Sequence, residues 1–170
     1  MHPPELQERF LGLLEEHRRL LYKVARAYGR TDADREDLVQ EMAIQAWKSF
    51  PRYDARWRFS TWLYRVALNV AISFQRREST RRQHLEPGGA DLVEVSAEAN
   101  AEPSEEVALL YRFIGRLDAL NRALMLMYLD GQSHAEIGEV LGISPTNVST
   151  RVGRLKERLR EDFREVGTLQ

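Results

Sequence analysis

The sequence predicts an all-α protein built as two small helical domains joined by a flexible acidic linker. Three observations carry that expectation. Apolar residues recur at spacings of three and four on both sides of residues 83–103. No stretch alternates as a half-buried strand does. Between Arg82 and Arg112 there is no Lys or Arg, while Glu86, Asp91, Glu94, Glu98, Glu102, Glu105 and Glu106 gather there with Pro87, Gly88, Gly89 and Pro103. Such a composition cannot bury a core, so residues 83–103 read as linker, with an ordered loop holding one short helix as the alternative. The domains are then 1–82 and 104–170, two small units within a chain of 170 residues.

Three helical patterns precede the linker. The first carries Leu6, Phe10, Leu13, Leu14, Leu20, Leu21, Val24 and Tyr28, and Gly29 ends it. The second starts near Asp32 or Asp34, either of which can cap it. It places Leu38, Met42, Ala46 and Phe50 on one stripe and stops at Pro51. After a loop at 52–59, the third begins with Ser60 as N-cap. Leu63, Val66, Val70 and Phe74 form its inner stripe, and Arg65, Asn69, Ser73, Arg76 and Arg77 lie toward the other side.

Past the linker, Val107, Leu110, Ile114 and Leu117 predict one amphipathic helix, and Leu120, Leu124, Met127 and Tyr128 another, ending at Asp130-Gly131. Two further helices follow at 134–141 and 145–162. Their junction reads as a helix-turn-helix. Ser133 and Glu136 fit a capping box. Gly138 leaves room for a close crossing, Gly142 can take positive φ at the helix end, and Ile143 fills the corner. Ser144 caps the second helix and Pro145 takes its first position, where a missing N–H costs nothing. Val148, Val152 and Leu155 give that helix one buried face. The opposite face holds Thr146, Asn147, Ser149, Thr150, Arg151 and Arg154. Short polar groups near the N-terminus followed by cations are what a helix entering the major groove needs.

A second basic region lies at 52–82. Arg52, Arg56, Arg58, Arg65, Arg76, Arg77, Arg81 and Arg82 are opposed only by Asp54 and Glu78, with Tyr53, Trp57, Phe59, Trp62, Tyr64 and Phe74 interleaved. Arg neutralises phosphate and aromatic faces stack on unpaired bases, so this segment suits melted DNA. Phe59 and Phe74 read as core. Trp57 and Trp62 fit core and stacking equally well.

Composition excludes several classes. With no Cys there is no disulfide, thiolate metal site or thiol nucleophile. No run approaches the roughly 18 apolar residues of a membrane span. The first ten residues carry no export signal, so the chain is expected in the cytoplasm. His17, His84 and His134 are scattered away from any ligand spacing, and no Gly-rich phosphate loop occurs. Neither an enzyme nor a site for a cofactor, metal or small-molecule substrate is expected. The net charge of −1 argues against a DNA binder only until the charges are placed.

Two sets of residues carry a resemblance. The first is Asp37-Leu38-Val39-Gln40-Glu41, then Ala46-Trp47, Phe59-Ser60-Thr61-Trp62-Leu63-Tyr64-Arg65 and Asn69. The second is Gly131-Gln132-Ser133, Glu136-Ile137-Gly138, Leu141-Gly142-Ile143-Ser144 and Asn147-Val148-Ser149-Thr150-Arg151. In this order and separation the sequence resembles the extracytoplasmic-function sigma factors, the smallest members of the bacterial sigma-70 family. The resemblance covers nearly the whole chain outside the linker. It implies a protein that binds core RNA polymerase, directs it to promoters and helps open the DNA.

Region by region, the resemblance implies that Asp37, Leu38, Gln40, Glu41 and Trp47 contact core polymerase at the β′ clamp helices. It implies −10 contacts from Arg56, Trp57, Arg58, Ser60, Thr61, Trp62, Arg65, Asn69, Ser73, Arg76 and Arg77. The 56–61 stretch matches the loop that captures a flipped base in relatives. It implies −35 contacts from Ser133, Pro145, Thr146, Asn147, Ser149, Thr150, Arg151 and Arg154, docking of the second domain on the β flap, and an anti-sigma factor as regulator. The acidic linker would thread basic polymerase channels. Two departures keep promoter preference from being carried over: Ser73-Phe74-Gln75-Arg76-Arg77 stands where relatives often have Asp-His-Leu-Arg-Arg, and Ser149 stands where many have a basic residue. The competing reading is a stand-alone helix-turn-helix regulator that binds an operator without polymerase.

Overall fold

The computed structural model describes residues 2–85 and 104–168. The chain divides into two compact units, Met1–Gly89 and Ala90–Gln170. Among the described residues every regular element is helical, as the apolar spacing predicts. Residues 86–103 of the expected linker lie outside the described residues. Residues 83–85 instead continue the last helix of the first unit.

The first unit holds α1 (Pro3–Glu16), α2 (Arg18–Tyr28), α3 (Asp32–Ser49), a 3₁₀ turn (Phe50–Arg52) and α4 (Phe59–Leu85). The single first helix expected from sequence is two helices. The break is His17, at φ −113° and ψ 13°. Its imidazole Nδ1 donates to the Leu13 carbonyl at 2.8 Å and its ring meets Phe59 at 5.0 Å. Apolar spacing alone does not register this break, because Leu20, Leu21 and Val24 carry the same periodicity on past it.

α3 is capped by Thr31 rather than by Asp32 or Asp34. Asp34 N–H donates to Thr31 Oγ1 at 3.1 Å, and Thr31 N–H donates back to the Asp34 carboxylate at 3.4 Å. Asp34 is thus the reciprocal partner in a capping box. The expected α3 stripe is buried, with Leu38 2%, Met42 0%, Ala46 0% and Phe50 3% exposed.

α4 differs from expectation in start and phase. It begins at Phe59, so Ser60 lies inside the helix instead of capping it. Its core face is Leu63, Tyr64, Ala67, Leu68 and Ala71, whereas Val66, Val70 and Phe74 are half-buried. α2, α3 and α4 each pack on the other two. A helix covered from two sides buries the stripe between its neighbours, and the small Ala67 and Ala71 permit close approach there.

The second unit holds α5 (Glu105–Gly115), α6 (Ala119–Leu129), α7 (His134–Leu141) and α8 (Pro145–Thr168). Ser104 caps α5 and Asp118 caps α6. Leu117 falls in the connection between them, and α8 runs six residues beyond the expected 162. Arg122, 5% exposed, donates through Nη2 to the carbonyls of Gly115 at 2.9 Å and Leu117 at 3.0 Å, satisfying backbone left over where α5 ends.

The helix-turn-helix forms with the expected local devices. Glu136 N–H donates to Ser133 Oγ at 3.1 Å and Ser133 N–H to the Glu136 carboxylate at 2.8 Å. Gly142 sits at φ 72°, the left-handed region. Ser144 Oγ accepts from Asn147 N–H at 3.1 Å. Val148, Val152 and Leu155 are buried. Gly138 does mark a close approach, tightest to the turn: a Cβ there would lie 2.5 Å from the Ile143 carbonyl oxygen and 3.6 Å from the backbone N of Pro145, where α8 begins. That oxygen cannot move without opening the turn. Gly138→Ala should therefore destabilise the second unit by about 1–3 kcal/mol, despite the better helix propensity of Ala. Thermal unfolding measures this, and an unchanged melting temperature would show that the turn yields freely.

Candidate nucleic-acid and partner-binding interfaces

The first surface is the outer face of α3. Asp37, Gln40, Glu41 and Trp47 are exposed at helical spacing, with Gln45 Nε2 donating to Glu41 Oε1 at 2.8 Å. Leu38 does not join them. At 2% exposure it secures α3 to the core and cannot meet a partner. Ile44 does join them, 47% exposed between Glu41 and Trp47. The spacing 40, 41, 44, 47 pointed to it, but an apolar residue reads as core until a structure shows its face. Trp47 is 39% exposed, yet its ring lies 5.2 Å from Phe10, so it belongs to surface and core at once.

The second surface is the loop before α4 together with the outer face of α4. The loop is held by its own side chains. Asp54 accepts from Arg56 N–H at 3.0 Å and from Arg56 Nε at 2.8 Å, and Trp57 N–H donates to the Asp54 carbonyl at 3.0 Å. The Arg56 guanidinium, then its backbone N–H, hold the Asp54 carboxyl below the usual carboxylate range. The pair stays charged at neutral pH and is lost only as pH falls through that lowered value.

Tyr53 ties this loop to the core. Its hydroxyl donates to the Trp57 carbonyl at 2.7 Å, while its ring lies 5.8 Å from Phe50 and 5.1 Å from Trp62. The two tryptophans left open by the sequence now part company. Trp57 is 41% exposed at the loop. Trp62 is half-buried among Phe50, Tyr53 and Phe59 and supports the loop from below.

Arg56 and Arg58 are exposed, as are Arg65, Asn69, Ser73, Arg76 and Arg77 along α4. Ser60 at 9% and Thr61 at 3% are buried in the first turn and offer no side chain to DNA. Asn69, Ser73 and Arg77 line a groove of about 350 Å³ whose opposite wall carries Glu41 and Gln45. The α3 and α4 surfaces therefore adjoin.

The third surface is the start of α8. Thr146, Asn147, Ser149, Thr150 and Arg154 are exposed, and Pro145 stands exposed at the first helical position. Ser133 is exposed at the α7 terminus with its hydroxyl engaged in the capping box. Arg151 is half-buried. Its Nε donates to Asn147 Oδ1 at 2.9 Å and its Nη1 to Asn121 Oδ1, on α6, at 3.2 Å. Among the described residues no group of His, Asp or Glu is placed to hold a metal ion, and no helix is long and apolar enough to cross a membrane.

Comparison with known proteins places both parts of the chain in one family. Residues 13–81 match the family model Sigma-70 region 2, and residues 108–159 match Sigma-70, region 4. The chain is 32% identical over 155 residues to the ECF RNA polymerase sigma-E factor of Escherichia coli (strain K12), spanning 83% of this chain and 81% of that protein. This chain belongs to the sigma-70 family, among its extracytoplasmic-function sigma factors.

Other relatives agree. The sigma factor is 29% identical over 161 residues to RNA polymerase sigma factor NccH of Alcaligenes xylosoxydans xylosoxydans, covering 90% and 86% of the two chains. Its fold matches CnrH, solved in complex with the cytosolic domain of CnrY, with a TM-score of 0.65 at 26% identity over 91% of this chain and 87% of the other. It also matches RpoE of Bartonella quintana, solved with the anti-sigma factor NepR, with a TM-score of 0.75 over 94% and 97% of the chains. At 19% identity that likeness concerns the fold.

Proposed function

We propose that the sigma factor divides promoter recognition between its two units. The single observation that supports this most is the presence of two sigma-70 regions in order, each with its own exposed polar face on a packed helical scaffold. In this reading Asp37, Gln40, Glu41 and Trp47, joined by Ile44, dock on the β′ clamp helices of core polymerase. Carboxylates set the charge complement and apolar side chains supply the contact. The N-terminal end of α8 enters the major groove at −35, where small polar groups and Arg reach base edges and phosphates. The second unit also rests on the β flap.

At −10, Arg56, Arg58, Arg65, Arg76 and Arg77 neutralise the backbone. Asn69 and Ser73 meet it with hydrogen-bonding groups, and Trp57 stacks on an unpaired base. Ser60, Thr61 and Leu38 act from within by shaping the scaffold, and Trp62 by supporting the loop. The acidic segment 83–103 lies in basic polymerase channels. Phosphodiester chemistry belongs to the polymerase, so the sigma factor is not itself an enzyme. It works in the cytoplasm and is restrained by an anti-sigma factor.

The competing reading, an operator-binding regulator, separates cleanly. Gel-shift titration of a promoter fragment should give tight, sequence-specific binding only when core polymerase is present. Equal affinity from the sigma factor alone would favour the regulator.

A further inference from the structure

The recognition helix does not present all its polar side chains alike. Thr146, Asn147, Ser149, Thr150 and Arg154 project from an exposed face, whereas Arg151 is half-buried and held from two sides. One holder, Asn147, lies one turn earlier on the same helix, with its Oδ1 2.9 Å from Arg151 Nε. The other, Asn121, lies thirty residues earlier on α6, with its Oδ1 3.2 Å from Nη1. Asn121 is itself fixed. Its Nδ2 donates to Asp118 Oδ2 at 3.2 Å, and its backbone N–H donates to Asp118 Oδ1 at 2.8 Å. With its NH₂ end turned to Asp118, the carbonyl end of the amide faces Arg151.

A guanidinium is planar and carries five N–H donors in a fixed fork. Two acceptors, one at Nε and one at Nη1, fix both the position and the plane of that fork. Three donors, including both on Nη2, are left to serve an acceptor on DNA. A long side chain otherwise loses rotamer freedom when it binds, and a prearranged one loses less.

We propose that Asn121, outside the recognition helix, is a positioning residue for −35 readout, setting the plane of the Arg151 guanidinium through an Asp118–Asn121–Arg151 chain. The inference rests on the sigma reading of α8 and adds a residue from α6 to it. Asn121 touches no DNA in this role. Its effect passes through Arg151.

The test is a double-mutant cycle on the full chain reconstituted with core polymerase, read as affinity and base preference over promoters with a randomised −35 element. Asn121→Ala keeps the α6 cap, because the cap donor is the backbone N–H. Asn121→Ser, also too short to reach the guanidinium, is the second variant. Each should weaken binding to the preferred −35 element by about five- to tenfold and flatten preference at the positions that Arg151→Ala flattens. In the Arg151→Ala background, removing Asn121 should cost less than about twofold. Additive losses, or weaker binding with unchanged base preference, would overturn the proposal and leave Asn121 a scaffold residue. No −35 selection by the wild-type holoenzyme would overturn the sigma reading of α8 itself, a result the cycle keeps separate.

Discussion

Asp37→Arg combined with Glu41→Arg should abolish co-purification with core polymerase while helical content and melting temperature stay at the wild-type level. Both carboxylates stand exposed on α3, so reversing them leaves the packing of Leu38, Met42 and Ala46 untouched. Among the described residues, the hydrogen bond it removes is the one from Gln45 to Glu41, at an exposed position. Against a basic partner the change replaces two attractions by two repulsions, and like-charge juxtaposition at an interface costs several kcal/mol. A pull-down with tagged core measures it. Undiminished capture would place the docking surface elsewhere on the chain.

The second large effect is expected at the loop before α4. Trp57→Ala with Arg58→Ala should lower promoter opening by at least about tenfold, since base stacking on an aromatic ring alone contributes about 1–3 kcal/mol. Both residues are exposed and lie outside the bundle, so core binding and −35 binding should persist. Permanganate reactivity of thymines in the −10 element reports opening directly. Wild-type reactivity in the variant would return the stacking role to another aromatic. Trp62 is poorly placed for it, because its ring is already packed against Tyr53 and Phe59.

The helix-turn-helix was legible because its signals are local. Ser133 with Glu136, Gly142, Ser144 and Pro145 each meet a backbone demand a few residues away, and the structure meets each demand as the sequence implies. What depends on tertiary surroundings was not legible. His17, at the break, meets Phe59 from another helix, and the phase of α4 follows from two neighbouring helices. The burial of Arg35 and Arg122 runs against their residue type, and no short-range pattern announces it.

The site shows the same division. Motif resemblance conveys which residue types belong to a region but not which way they face. It therefore gathered Leu38, Ser60 and Thr61 with exposed neighbours, and passed over Ile44, exposed on the same face as Glu41 and Trp47. The contact of Asn121 with Arg151 spans thirty residues and leaves no periodic trace. Charge is similarly uninformative as a sum. The net −1 joins an acidic stretch on α3 and an acidic segment at 83–103, proposed to face polymerase, to Arg-rich surfaces on α4 and α8, proposed to face DNA.

On this reading the chain confers promoter choice on a polymerase that lacks it. Run-off transcription over genomic fragments, with core polymerase in the presence and absence of the sigma factor, measures this. Discrete transcripts should start only when the sigma factor is added, from fragments sharing a −35 and a −10 element. Equal transcription from core alone would show that the chain confers no promoter choice.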